Sequence, residues 1–306
     1  MKLVFLGTGG SYPSPRRNVV SLALKYNGDV ILFDCGEGTQ RQLMRSSLSF
    51  MDINKIFITH LHGDHFLGLP GLIQSMKLNE RENPLEVYGP AGTKELLGLL
   101  MTLGYFNPNF KIKGQDIEPG TSLKFKGFTV KTVPANHNVP ALAYVFKEDD
   151  RPGRFNKPKA LELGVPEGPL FGRIQRGQTV EVDGRKISPD DILGPPRRGR
   201  KVVYTGDTRP SVDILDAATK ADVLVHEGTF DGSMSEIALE KGHSSVTQAA
   251  EIARKADVDR LFIVHISPRY EGIKEMESEA KEIFPNTTIP RDLSEYEIRL
   301  PPDEKD

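Results

Sequence analysis

The run Lys55-Ile56-Phe57-Ile58-Thr59-His60-Leu61-His62-Gly63-Asp64-His65 carries more information than any other stretch of the chain. Its first half is short, β-branched and aromatic, and reads as a strand. Its second half packs three imidazoles and a carboxylate into six residues with no sulfur, a nitrogen/oxygen donor set suited to zinc and less well to manganese or iron. His60 and His62, two apart on an extended turn, can converge on one ion. Asp64 and His65 turn away with a helix expected to begin at Phe66, and can face a second.

Four further residues share this setting. His137 comes after a strand ending at Val133, Asp207 after Val202-Val-Tyr-Thr-Gly206, His226 after Asp222-Val-Leu-Val225 and His265 after Leu261-Phe-Ile-Val264. In open α/β sheets ligands bind beyond the carboxyl ends of strands, so these side chains can share one mouth with the histidine cluster. His137, Asp207 and His265 read as metal ligands. His226 reads rather as an orienting or core histidine. Other strand-length runs are Leu3–Leu6, Val20–Leu24, Val30–Phe33, Leu85–Tyr88, Phe128–Val133 and Leu142–Phe146. Helical periodicity marks Gln40–Leu48, Leu67–Leu78, Thr93–Leu103, Val246–Lys255 and Ile273–Phe284, the fourth opened by the Ser-x-x-Gln start Ser245 to Gln248. Grouped strands with intercalated helices predict a mixed α/β sandwich of two strand-rich halves, not a barrel of regular βα units.

Composition narrows the setting. The chain has 306 residues, 40 Lys+Arg, 42 Asp+Glu and one cysteine, Cys35, so no intrachain disulfide can form. Cys35 reads as a packing residue. No apolar run approaches the ~20 residues needed to cross a bilayer, and the expectation is a soluble cytoplasmic protein without a membrane partner. A net charge of −2 argues against nucleic acid at first sight. It is unevenly distributed. From Arg151 to Lys201, 51 residues carry 12 Lys+Arg against 6 Asp+Glu, a net +6 that leaves −8 for the remainder. This basic insertion is rich in Gly and Pro and holds apolar anchors at Leu161, Leu163, Val165, Leu170, Phe171 and Ile174. It is either a solvated loop or a functional arm. Cations grip RNA phosphates without any base code, and Arg151, Arg154, Lys157, Lys159, Arg173 and Arg176 are the candidates for that contact.

The motif His60-Leu-His-Gly-Asp-His65, followed by His137, Thr205-Gly-Asp-Thr208 and His265, resembles the metallo-β-lactamase superfamily. Nearly the whole chain is further similar to the ribonuclease Z family, endonucleases that remove 3′ trailers from precursor tRNA. The matching pieces are Gly7-Thr-Gly-Gly10 with Arg17-Asn18, Phe33-Asp-Cys-Gly-Glu-Gly-Thr-Gln40, His226-Glu-Gly-Thr229, His243-Ser-Ser245 and His265-Ile-Ser-Pro-Arg269-Tyr. Gly164 to Phe171 resembles part of the family's variable arm. Small departures fall at Gly228, Ser245 and Pro268, none a candidate ligand.

The resemblance implies a single metallo-β-lactamase αββα domain over 1–306, with a tRNA-binding arm at about 151–201. It also implies two zinc ions per subunit, one held by His60, His62 and His137, the other by Asp64, His65 and His265, with Asp207 bridging. Zinc lowers the pKa of bound water to about 7, and a metal pair clamps both oxygens of an in-line phosphoryl displacement. Asp64 can orient that water or take its proton. The products would be a tRNA 3′-hydroxyl and a trailer 5′-phosphate. Metal ligands cannot protonate the leaving oxygen, which makes His243, in a Gly-His-Ser turn before a helix, the candidate for general acid or for stabilising phosphate charge, with Glu227 holding its tautomer. The plainer alternatives are a helix-capping His243 and a solvated or structural Glu227. The glycine turn at Gly7–Gly10 either presents amides to phosphate or is a packing turn, and Ser11 to Asn18, with Arg16 and Arg17, either edges an RNA channel or is solvated. The family also implies a homodimer. Two other functions fit the residues: a small-ester hydrolase on the same site, which would not need the arm, and a non-catalytic RNA-binding scaffold, which would not need seven ligands.

Overall fold

The computed structural model describes residues 1–105 and 107–301. The expected 1–306 domain therefore includes positions outside the described residues. The chain divides into two compact units, one formed by Met1–Lys147 with Lys201–Arg299, the other built on Glu148–Arg200.

In the first unit two seven-stranded sheets face each other. The first runs in the order Glu295–Glu297, Lys2–Gly7, Ser21–Tyr26, Asp29–Phe33, Ile53–Phe57, Leu85–Gly89, Ile112–Asp116. Its early strands are antiparallel and the last four parallel. The second runs Thr287–Thr288, Leu261–Val264, Val223–Glu227, Lys201–Tyr204, Leu142–Glu148, Phe128–Pro134, Ser122–Phe125. Alternation within single strands explains the layering. Leu3 and Phe5 point into the core between the sheets while Val4 and Leu6 point to the helices; Val202 and Tyr204 point inward while Val203 points outward. Both faces are covered, so these strands read as unbroken apolar runs. Helices Thr39–Arg45, Leu69–Leu78 and Thr93–Leu100 supply the outer layer of the first sheet through Leu43, Leu72, Met76 and Leu97. Helices Val212–Ala218, Val246–Lys255 and Lys274–Ile283 cover the second through Ile214, Ala249, Ile252 and Met276. The result is the αββα arrangement the sequence implies. The predicted start at Ser245 is a capping box, its hydroxyl accepting from the Gln248 amide and the Gln248 side chain accepting from Ser245.

The basic insertion folds as the second unit. Asn156 caps the helix Lys157–Glu162, Pro169–Gln175 forms a second helix, and Val180–Val182 pairs with Arg185–Ile187. Ala160, Val165, Ile174, Val180, Ile187 and Ile192 form a small core of their own. Of the expected anchors, Val165 and Ile174 are buried and Leu163, Leu170 and Phe171 pack against them, but Leu161 is exposed. Lys201 begins a strand of the first unit. Among the described residues no helix is long and apolar enough to cross a membrane.

Candidate metal centre

Strand ends build the centre. Ile53–Phe57 delivers Thr59 and His60, Phe128–Pro134 leads to His137, Lys201–Tyr204 to Asp207, and Leu261–Val264 to His265. The helix expected from Phe66 in fact starts at Gly63, so Asp64 and His65 lie in its first turn and His62 is its N-cap. Gly206 at φ 58°, His265 at φ 60° and Asp34 at φ 56° adopt left-handed backbone at the site. Gly10 admits the His265 ring, which a Cβ there would meet at 2.5–2.7 Å.

All seven predicted ligands come together. His60, His62, His137 and Asp207 bring one ligand atom each within 4.8 Å of the others, as do Asp64, His65 and His265. His62 Nδ1 lies 2.9 Å from His60 Nε2 and 3.3 Å from His137 Nε2. Asp207 belongs to the first of these groups and also groups with His265 and His243, and it approaches the second: Oδ2 is 3.7 Å from His60 Nε2 and 3.3 Å from His265 Nε2, and Oδ1 is 3.4 Å from His65 Nε2. Asp64 Oδ2 is 3.3 Å from His265 Nε2 and accepts the Ser11 amide at 2.7 Å. His65 Nε2 and Asp207 Oδ1 are buried and find no hydrogen-bond partner. A buried ring nitrogen and carboxylate oxygen without partners are costly, and a divalent cation between them removes that cost. The sulfur-free His/Asp set fits a metal-binding centre.

The opposite edges of the rings are tied to the scaffold. His65 Nδ1 donates to Asp34 at 2.8 Å and His137 Nδ1 to the Gly242 carbonyl at 2.7 Å. Burial holds His60 and His137 below the usual imidazole range, leaving them neutral donors. Burial also lowers His65, but the charges of Asp207 and Asp34 outweigh it and hold the ring well above the usual range in the metal-free chain. Asp207 is buried, which alone would raise its carboxyl, yet the charges of His265 and His65 draw it well below the carboxylate range.

His243 stands beside this cluster with its side chain 16% exposed, against 3% or less for His60, His65, His265 and Asp207. Its Nδ1 is 2.9 Å from Glu227 Oε1 and 3.8 Å from Asp207 Oδ2. The shorter bond commits Nδ1 to Glu227, so His243 is a neighbour of the ligands and Nε2 is its free nitrogen. Burial lowers the ring, but Glu227's charge and hydrogen bond prevail and raise it to about 9. Glu227 is fully buried at the end of its strand, ruling out a solvated carboxylate. His226 lies inside that strand, not after it, with Nδ1 on the Glu227 carbonyl at 2.7 Å, and joins no ligand group.

The Gly9 and Gly10 amides donate to Asn18 and Ile266 carbonyls, making Gly7–Gly10 a packing turn. Arg17 is half-buried beside Asp292 and donates to Thr8 and to Pro290 at 2.8 Å, while Arg16 is exposed and reaches the Glu271 carbonyl. Cys35 is buried, its thiol pushed up by burial. In the second unit Arg154, Lys157, Lys159, Arg173 and Arg176 are exposed, and Arg151 is half-buried with its backbone bridged to Arg197. Arg200, part of the arm's charge, is instead buried against Glu148 by bonds of 2.7 Å from Nε and Nη2. Sequence reading missed Asp34, which accepts from His65, Thr59 and Tyr204. Its position directly after the strand Asp29–Phe33, within the family-like Phe33–Gln40 segment, was the available signal.

Residues 192–266 match the profile described as beta-lactamase superfamily domain, and 1–147 match that of the anti-Pycsar protein Apyc1. A ribonuclease Z from Methanosarcina acetivorans is 44% identical over 304 residues, covering 99% of this chain and all of that protein. The chain belongs to the ribonuclease Z family. It is thereby a hydrolase of the endoribonuclease class with the metallo-β-lactamase fold. The ribonuclease Z of Methanothermobacter thermautotrophicus is 45% identical, with 98% of this chain and 97% of that one covered. The crystal structure of the short form of human tRNase Z superposes with a TM-score of 0.73 at 28% identity, covering 98% and 100% of the two chains.

Proposed function

We propose that this family member removes 3′ trailers from precursor tRNA with two zinc ions, acting in the cytoplasm as a homodimer. The observation that carries the reading is the pairing of the His/Asp cluster with a free imidazole edge at His243, in a chain alike over its full length to proteins named ribonuclease Z. His60, His62 and His137 would hold one ion and Asp64, His65 and His265 the other, with Asp207 shared. When bound, the pair supplies acidified water and charge neutralisation at the scissile phosphate. Asp64, whose carboxyl is drawn below its usual range against the effect of burial by its bond to His265, stays ionised to orient the attacking water and take its proton. His243, its Nδ1 fixed by Glu227, offers Nε2 to protonate the leaving ribose 3′-oxygen. The exposed cations Arg154, Lys157, Lys159, Arg173 and Arg176 supply phosphate contacts for the folded tRNA, with Arg151 at the arm's base.

Deleting residues 152–196 and joining the chain at the Arg151–Arg197 bridge tests the arm. Cleavage of precursor tRNA should fall by roughly 10³-fold or more, with hydrolysis of an aryl phosphodiester retained. Equal loss on both substrates rejects the arm as an RNA grip. Hydrolysis of the aryl ester with no cleavage of precursor tRNA by the intact protein would instead favour a small-ester hydrolase.

A further inference from the structure

The same polar device occurs twice in the centre, once in each half. Asp34 accepts from the Thr59 amide at 2.7 Å, the Thr59 hydroxyl at 2.9 Å, Tyr204 at 2.8 Å and His65 Nδ1 at 2.8 Å. Glu227 accepts from the Thr208 amide at 2.8 Å, the Thr229 amide at 3.3 Å, the Thr229 hydroxyl at 2.7 Å and His243 Nδ1 at 2.9 Å. Each buried carboxylate thus takes the amide and hydroxyl of one threonine and the Nδ1 of one histidine. The same hydroxyl then meets a second histidine: Thr59 Oγ1 lies 3.1 Å from His60 Nδ1, and Thr229 Oγ1 lies 2.8 Å from His265 Nδ1.

Proton counting fixes the direction of the bonds at each threonine hydroxyl. A carboxylate accepts only, so the single hydroxyl proton of Thr229 goes to Glu227. The oxygen's lone pairs are then all that His265 can meet, and His265 Nδ1 must be the donor. That leaves Nε2 of His265, facing Asp64 and Asp207, as the nitrogen a metal would take, its lone pair bare once the ring is neutral. The same count at Thr59 leaves His60 Nε2 bare. We infer that Thr229 is a positioning residue that locks His265 in the metal-binding tautomer while holding the carboxylate that orients His243, with Thr59 as its counterpart for His60 and His65. One hydroxyl therefore couples the ligand set to the proposed acid.

The proposal rests on the two-metal reading of the site, not on the identity of the RNA. Zinc affinity is measured by competition with a chromophoric chelator on Thr229→Val and Thr229→Ser. Partners of this kind change metal affinity by about 10–100-fold, so Thr229→Val should weaken one of the two equivalents by that factor and leave the other near wild type. Thr229→Ser should restore it. Thr229→Val should also lose more activity on precursor tRNA than on an aryl phosphodiester, whose leaving group needs no acid. Wild-type affinity for both ions in Thr229→Val, or a serine variant as defective as the valine one, overturns the proposal. Should the valine variant not fold, the ¹⁵N spectrum of the zinc-loaded wild-type protein decides: Nδ1 of His265 protonated supports the assignment, and Nδ1 unprotonated refutes it. If metal and tautomer behave as stated while trailer cleavage fails, only the substrate reading is lost.

Discussion

Replacing Gly206 with alanine tests whether the backbone at the shared carboxylate is as constrained as its geometry indicates. Gly206 has φ 58°, and a Cβ placed there would meet Cβ and Cγ2 of Thr59 at 2.6 Å and Oγ1 at 2.8 Å. Thr59 cannot retreat cheaply, because its amide and hydroxyl are both bound to Asp34. The left-handed conformation costs a residue with a Cβ about 1–2 kcal/mol, and overpacking a filled site costs roughly 1–3 kcal/mol. The two act on the same residue, giving a destabilisation of about 2–5 kcal/mol. Urea unfolding of the metal-free protein measures it without a ligand-binding contribution. Zinc affinity should fall as well, since Asp207 is the next residue. A variant within about 0.5 kcal/mol of wild type, with unchanged zinc affinity, would show that the Gly206–Thr59 contact yields easily and would refute the reasoning.

His243→Gln, which keeps the Glu227 contact but cannot donate a proton as an imidazolium does, should lower precursor cleavage by about 10²–10⁴-fold with far less effect on an aryl phosphodiester. Equal loss on both would make the residue structural. In the metal-free chain burial lowers His65, but Asp207 and Asp34 hold it above the usual imidazole range, so a metal must displace its proton. Zinc affinity should therefore fall as pH is lowered, with protons released on uptake; a chelator competition that gave the same affinity at acid and neutral pH would contradict this.

The ligand set was legible because its chemistry is local. Six residues from His60 to His65 contain four donors, and each remaining ligand sits just beyond a strand that its own apolar run announces. The helix start was misplaced because Gly63 is a poor helix former and His62 provides no side-chain cap, so nothing before Phe66 signals a turn. The strand Ile112–Asp116 was missed since it is largely polar, at the edge of its sheet. Helix Ser235–Lys241 buries only Ala238 and offers no apolar stripe. Leu161 looked like an anchor from composition alone, whereas the arm's core is set by two short helices and a hairpin too brief to leave a period. Asp34 was signalled only by its place just after a strand, and Thr229 not at all as a site residue, because their work depends on partners distant in sequence, His65 for the first and His243 and His265 for the second.

The central claim is metal-dependent cleavage of precursor tRNA at this centre. Single-turnover reaction of a tRNA carrying a 3′ trailer, run with zinc-loaded wild type, metal-depleted wild type and His65→Ala, tests it most directly. The account predicts one cut by the loaded enzyme, giving a tRNA 3′-hydroxyl and a trailer 5′-phosphate, and loss of both metal and cleavage in the other two. Undiminished cleavage by the metal-depleted protein, or by His65→Ala without its metal, would contradict it.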